Sequence, residues 1–514
     1  MTRIVVGNVW SKIEDISTDH LRIVRHGVAY QEQVMPTLDA QRTIKAFFSR
    51  SRRYGSVTDL RRLWADSTVS QALTDADLAQ SVLTPAMLER VLRQRGIWDG
   101  WVRMVKGDGS FPTGLLALVR RQLRIRCETP FALDDNRGDP PCGTPLPTPD
   151  LYAYQREAVE AFVQAGRGVI DLPPRSGKTR IAMAIVAQLG VPTLYVTPAV
   201  GLVTQTVAAF REFFPDRSVF GQRGKPNAKE RRQLLNALVW VATPQTAITL
   251  PNLHARQLLV LDEFHHAAAA TWQAVSEKLT GAYWRLGLTG THYRADGRDM
   301  EMAGVLGRSA FSRSVSEMVE LGRLVPARIA MLRCPGSTIA DNKTSYRIGV
   351  VENGERNAIL ASAATTLIEA GCRVLVLTKQ IGHAEVLAGM IPGAVEVDGR
   401  DNEVVDERLR QLSSGVVPAV VGTSVIGEGR DVPAADALVY AAGGKSRVKV
   451  KQDYFRVLTE SRGKRTGIIV DVVDLHHPKL LEHSVHRMML YREEDCFESS
   501  VLDVPSFKQW LGRQ

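Results

Sequence analysis

DLPPRSGKTRIA, residues 171–182, decides how this chain is read. A short apolar run, GVID (168–171), leads into a turn ending in Gly177-Lys178-Thr179, and the apolar, helix-like IAMAIVAQL (181–189) follows. Backbone N–H groups at a helix N-terminus attract an anion, a Lys adds a point charge, and a Thr hydroxyl can hold Mg²⁺. Ser176, Gly177, Lys178 and Thr179 therefore form a candidate triphosphate cradle. The full pattern, G-x-x-x-x-G-K-[ST], asks for a glycine where Leu172 stands, so the loop by itself is incomplete.

The complement lies downstream in LLVLDEFHH (258–266). Leu258 to Leu261 predict a buried parallel strand, with Asp262-Glu263 where it leaves the sheet. Ligands of open α/β sheets bind beyond the carboxyl ends of strands. There Asp262 can hold Mg²⁺ and Glu263 can polarise an attacking water. Two such motifs in this order, each behind a strand, predict a nucleoside triphosphatase.

The remaining composition narrows the class. At 514 residues, 44% hydrophobic and 23% charged, the chain has room for about three ordinary globular domains. It contains no apolar run of eighteen residues, and the apolar stretch of MTRIVVGNVWSKIED is too short for a signal peptide. No membrane partner is expected. The formal charge of +10 suits a polyanionic partner. Five scattered cysteines, Cys127, Cys142, Cys334, Cys372 and Cys496, include no C-x-x-C pair. That argues against a disulfide framework and a zinc site, and for a reducing, cytoplasmic compartment.

DDNRGDPPCGTPLPTPD (134–150) is aperiodic and rich in Pro, Gly and Asp, so it predicts a linker. Residues 1–133 before it mix strand-like runs (RIVVGNVW, HLRIV) with a basic helix-like stretch from Ala40 to Arg53. After it, VID, TLYVT, LVWVAT, LLVLDE and RLGLT alternate with helical patterns, and a second series follows: RVLVLT, AVEV, AVVGT, ALVYA and GIIVDVVD. The expected fold is α/β, two parallel-sheet domains in tandem (151–325 and 326–514) behind a small α+β N-terminal domain.

From about Tyr152 to Asp474 the chain resembles a superfamily 2 helicase, whose two domains are RecA-like. Tyr154-Gln155 in LYAYQREAV resembles the element that contacts adenine, with Gln155 as the contact. TLYVTPAVGLVTQ (Thr197, Pro198, Gln205) and VATPQT (Thr243, Pro244, Gln245) resemble strand-binding motifs, and GLTGTHYRADG (Thr289, Gly290, Thr291) the motif coupling the ATP site to strand binding. In the second domain VLVLTKQIGHAEVL carries Thr378, Lys379 and His383, and GTSVIGEGRDVP carries Thr423, Gly427, Glu428, Gly429 and Asp431. The resemblance places Thr378 and Thr423 near nucleic acid, and Gly429 and Asp431 at the nucleotide. KQDYFRVLTESRGK resembles the last motif, Gln-x-x-Gly-Arg-x-x-Arg; Gln452 would couple and Arg456 would reach the γ-phosphate. The family implies ATP and Mg²⁺, bound between two lobes whose closing and opening steps along a strand by contacts with its sugar-phosphate.

WDGWVRMVKGDGSFPTGLL (98–116) resembles the N-terminal domain of the UvsW type of repair helicase, and DEFHH suits the XPB/UvsW branch better than the DEAD-box branch. In that resemblance residues 1–133 bind nucleic acid. Arg50, Arg52, Arg53, Arg61 and Arg62 near Tyr54 and Trp64 suit phosphate contact and base stacking. A second basic run, Lys445, Arg447, Lys449 and Lys451, is a candidate to track the backbone.

Two positions depart from the family pattern. Arg175 stands where glycine is common, and Thr459 stands where the second arginine of the last motif belongs. An arginine finger is worth about 10³–10⁵ in rate; here either Arg456 carries the load, or Arg462 or Arg465 reaches in, or turnover is slow. The expected activity is an ATP-dependent DNA helicase or translocase acting as a monomer on single-stranded or branched DNA in repair, recombination or replication. The alternatives are an RNA helicase, a weakly hydrolysing nucleic-acid-binding scaffold, and the motor of a restriction complex.

Overall fold

Fully apolar strands need cover on both faces of a sheet, and helical crossovers supply it. The chain builds this arrangement twice. The computed structural model describes residues 1–31, 101–214, 219–222, 224, 227–263, 270–290, 299–336, 341, 343–398, 402–423, 435–461 and 463–512. Thr291, Gly427, Glu428, Gly429, Asp431, Arg462 and the Arg50–Trp64 cluster lie outside those residues.

Among the described residues, the N-terminal module contains β1 (Thr2–Val6), β2 (Trp10–Glu14), α1 (Thr18–Gly27), β3 (Ala29–Gln31), β4 (Trp101–Arg103), β5 (Ser110–Pro112), α2 (Leu116–Ile125) and β6 (Phe131–Asp135). Its main sheet runs β5-β2-β1-β6, with β1 antiparallel to β2 and parallel to β6. Alternation along β1 turns Ile4 and Val6 inward, where they meet Ile13, Val24, Phe111, Val119 and Leu123.

The next domain runs α3 (Ala153–Ala165), β7 (Arg167–Asp171), α4 (Lys178–Leu189), β8 (Thr193–Val196), α5 (Val200–Phe213), β9 (Val219–Gln222), α6 (Ala228–Asn236), β10 (Val239–Ala242), α7 (Pro244–Ala247) and β11 (Leu258–Asp262). It continues with α8 (Ala270–Lys278), β12 (Trp284–Thr289), α9 (Asp299–Leu306) and β13 (Ser309–Ser312). The strand order is β13-β7-β12-β11-β8-β10-β9. Every residue of β8 and β10 is buried, as a sheet covered on both faces requires.

The N-terminal module is seated on this domain. A Cβ on Gly114 would lie 2.1 Å from the carbonyl oxygen of Ala303 on α9, so only glycine lets the Phe-Pro-x-Gly-Leu turn approach that closely. Asn8 donates to Thr280 O at 2.9 Å. The predicted linker lies along the same domain. Gly143 N–H donates to Leu189 O at 2.8 Å, Leu146 N–H to Ala187 O at 2.7 Å, and Trp284 Nε1 to Pro141 O at 2.8 Å. Strand β6 extends to Asp135, two residues beyond Leu133.

The last domain contains α10 (Val315–Glu320), β14 (Ala327–Cys334), α11 (Gly354–Glu369), β15 (Val374–Thr378), α12 (Ile381–Met390), β16 (Ala394–Val397), α13 (Asn402–Ser414), β17 (Ala419–Thr423) and β18 (Ala437–Tyr440). It ends with α14 (Arg447–Tyr454), β19 (Gly467–Asp474), α15 (Pro478–Arg492), β20 (Phe497–Leu502) and α16 (Val504–Leu511). Its seven strands, ordered β16-β17-β15-β18-β19-β14-β20, are all parallel. The chain divides into two compact units, residues 1–170 with 180–311, and residues 171–179 with 312–514.

Candidate nucleotide site and nucleic-acid contacts

The candidate phosphate loop starts at the carboxyl end of β7 and ends where α4 begins at Lys178. It has to reverse within a few residues, and two left-handed residues, Arg175 (φ +73°) and Gly177 (φ +75°), make the reversal. Glycine adopts that conformation freely, whereas an L side chain costs about 1–2 kcal/mol. Arg175 thus carries the backbone strain that a glycine would remove. Leu172, in place of the first glycine of the pattern, is 1% exposed. Its side chain belongs to the core, and its carbonyl accepts from Lys178 Nζ at 3.1 Å, with Pro173 O at 3.3 Å. The ammonium is therefore held inside the loop by backbone oxygens. Thr179 follows in the first turn of α4, half-buried.

On β11, Asp262 accepts hydrogen bonds on both carboxylate oxygens, from Tyr195 Oη to Oδ2 at 2.7 Å and from Glu263 N–H to Oδ1 at 3.0 Å. Glu263 is itself left-handed, with φ +46°. Strain of this kind clusters at functional sites. The Thr179 hydroxyl and the Asp262 carboxylate are hard oxygen donors of the type Mg²⁺ takes, and Mg²⁺ usually binds through one or two carboxylates together with substrate phosphates. The donor set fits.

Sheet topology gathers the strand ends. Strand β11 is parallel to β12 and β8, and β8 to β10. Arg285 N–H at the start of β12 donates to Gly166 O just ahead of β7, so those two strands begin at the same end. The carboxyl ends of β7, β8, β10, β11 and β12 therefore share one edge, and each carries a predicted residue. Thr197 (0% exposed), Thr243 (7%) and Thr289 (1%) are buried there. Thr243 Oγ1 donates to Thr246 Oγ1 at 3.2 Å. Gln205 is exposed on α5. Gln155 is buried, and its carboxamide closes the N-terminus of α3, with Oε1 accepting from Tyr152 N–H at 3.0 Å and Nε2 meeting Tyr154 Oη at 3.3 Å.

In the last domain Thr378 and Thr423 pair across β15 and β17. The single hydroxyl proton of Thr378 is shared between Gln380 O at 3.0 Å, where the next helix begins, and Gly422 O of β17 at 3.3 Å. His383 is fully buried with Nε2 at 2.9 Å from Asn357 Oδ1. Burial, and then the Arg356 charge, lower its pKa to about 4. Gln452 is half-buried on α14. Arg456 is 4% exposed and pairs with Asp453 at 3.3 Å, in the turn that follows. Thr459 forms an isolated antiparallel bridge with Leu324. The second basic run is largely neutralised: Lys445 pairs with Glu482 at 2.7 Å, Arg447 with Glu493 at 2.5 Å and Lys451 with Glu494 at 2.6 Å. These pairs reduce what the run offers to a phosphate.

Sequence reading missed Tyr195, whose only signal is a phenol inside the apolar run TLYVT, and a buried ionic cluster behind the last motif. In that cluster Arg487 Nε lies 2.8 Å from Asp471 Oδ2 and Arg356 Nε 2.8 Å from Asp474 Oδ1, all four side chains no more than 1% exposed. Among the described residues no helix is long and apolar enough to cross a membrane.

Residues 148–294 match the family described as Type III restriction enzyme, res subunit. The chain is 23% identical over 461 residues to the ATP-dependent DNA helicase uvsW of Enterobacteria phage T4, covering 78% of this chain and 89% of that one. It is 22% identical over 370 residues to the DNA 3'-5' translocase XPB2 of Sulfurisphaera tokodaii, covering 63% and 81%. The solved ATP-dependent Type ISP restriction-modification enzyme LlaBIII bound to DNA matches with TM-score 0.53 and 15% identity over 71% of this chain and 32% of that one, a likeness of fold.

Proposed function

We propose that this chain, a homologue of the XPB and UvsW helicases with a res-subunit helicase domain at 148–294, is an ATP-dependent DNA helicase or translocase. One observation carries the reading. The phosphate loop and the Asp262-Glu263 pair leave the carboxyl ends of strands in one parallel sheet, where such sheets bind ligands. Ser176, Gly177, Lys178 and Thr179 would cradle the triphosphate, Gln155 would meet the adenine, and Thr179 and Asp262 would hold Mg²⁺. Glu263 would orient the attacking water, and Arg456 would supply charge at the γ-phosphate. Because Thr197, Thr243, Thr378 and Thr423 are buried, their part would be to fix the strand-end backbone that meets sugar-phosphate. The exposed Gln205 would touch the strand directly. DNA is favoured over RNA because the two relatives covered to 81% and 89% of their own length are named for DNA.

A second reading, a scaffold that binds nucleic acid and scarcely hydrolyses ATP, draws on Thr459 in the last motif and on the pairing of Arg456 with Asp453. Steady-state ATPase rates without nucleic acid and with single-stranded DNA, forked DNA and RNA separate the readings. Strong stimulation by forked DNA is expected. Stimulation by RNA alone would replace DNA with RNA as substrate, and a rate near zero on all four would leave the scaffold.

A further inference from the structure

Strand β8 is apolar after its first residue except for one phenol. Tyr195 has no exposed surface, and its ring stands edge-on to Phe210 of α5, centres 5.7 Å apart and planes at 73°. A buried phenol hydroxyl needs a polar partner. Pairing register decides which one it finds. Tyr195 sits opposite Val260, and Asp262 lies two residues further along β11 on the same face. Two residues of parallel strand span about 6.6 Å, a gap that a phenol oxygen bridges and an aliphatic side chain does not. The result is the 2.7 Å bond from Tyr195 Oη to Asp262 Oδ2. Oδ1 accepts from the next backbone amide, Glu263 N–H, at 3.0 Å.

We propose that Tyr195 is a positioning residue: its hydroxyl fixes the Asp262 carboxylate in the rotamer that meets the Mg²⁺ of a bound nucleotide. This rests on the nucleotide-site reading above. Groups that orient a metal ligand from behind change metal affinity by about 10- to 100-fold when removed. Phe210, which packs edge-on against the Tyr195 ring, lies on α5, the helix that also exposes Gln205.

Tyr195→Phe keeps the ring and its packing on Phe210 and deletes only the hydroxyl. Binding of a fluorescent ADP to the full chain, titrated with Mg²⁺ and repeated in EDTA, tests the assignment. The Mg²⁺ concentration at half-maximal binding should rise about 10- to 100-fold, while the affinity in EDTA stays within about twofold. Free Mn²⁺ followed by electron paramagnetic resonance should show the same loss. In an Asp262→Asn background, Tyr195→Phe should add no further change. An unaltered Mg²⁺ midpoint, or an equal loss of affinity in EDTA, would overturn the role of Tyr195. Failure of the unmutated chain to bind Mg²⁺-nucleotide would overturn the nucleotide-site reading instead.

Discussion

Replacing Arg487 by Met should destabilise the last domain by about 3–5 kcal/mol, the cost of stranding a buried charge. Arg487 and Asp471 are both fully buried. The guanidinium donates to Asp471 Oδ2 at 2.8 Å and Oδ1 at 3.0 Å, to Gly444 O at 2.8 Å and to Val472 O at 3.1 Å. Burial opposes the charge, but the Asp471 carboxylate outweighs it and raises the pKa above its ordinary value. Met is long and apolar enough to fill most of the space, so the loss is electrostatic rather than a cavity. Tyr491 Oη at 2.9 Å and Val472 N–H at 2.6 Å remain on Asp471, which favours the lower end of the range. A domain of this size loses about 2–4 °C of Tm per kcal/mol, so a fall of about 6–20 °C is expected. Differential scanning calorimetry of the full chain reads it directly. Arg487→Lys should recover little, because an ammonium cannot reproduce the fork. Adding Asp471→Asn to Arg487→Met should recover more than either charge-stranding change alone allows. A fall below about 2 °C for Arg487→Met, or no recovery in the double variant, would refute the reasoning.

Lys178→Ala should abolish ATP turnover while leaving DNA affinity within about threefold, since a phosphate-loop lysine acts at the β/γ-phosphates; full ATPase activity would remove the loop from the site. Glu263→Gln should bind ATP and not split it, and hydrolysis at the normal rate in a single-turnover assay would remove Glu263 as the water-orienting group. Duplex binding should weaken linearly on a log–log salt plot, each neutralised phosphate adding about 0.9 to the slope; a flat plot would contradict a basic DNA-binding surface. His383, at a pKa of about 4 against an ordinary 6.5, has a folded value below its unfolded one. The unfolded chain therefore takes up that proton first. Stability is untouched above about pH 6.5 and falls by up to about 3 kcal/mol as the pH drops towards 4. Urea midpoints should show a shallower acid loss in His383→Gln, and equal slopes would dismiss the buried histidine as a cause.

Sequence alone determined the repeating parallel sheets and the order of the chemical motifs. Runs such as LLVL (258–261) and VLVL (374–377) are unbroken apolar strands, and a strand buried on both faces leaves that mark locally. Asp262-Glu263 at a strand end was legible for the same reason. Tertiary structure decided what each motif side chain touches. Gln155 closes the helix from the third position after Tyr152, a local pattern, whereas nothing near Thr378 says that its hydroxyl meets Gly422 O on a neighbouring strand. Lys445, Arg447 and Lys451 read as a bare basic run until Glu482, Glu493 and Glu494, about forty residues later, fold against them. Tyr195 reaches Asp262 across 67 positions of sequence only because β8 and β11 pair in one register. Periodicity records burial, which acts residue by residue. The partners of Asp262 and of the basic run come from distant segments, and only the packed chain selects them.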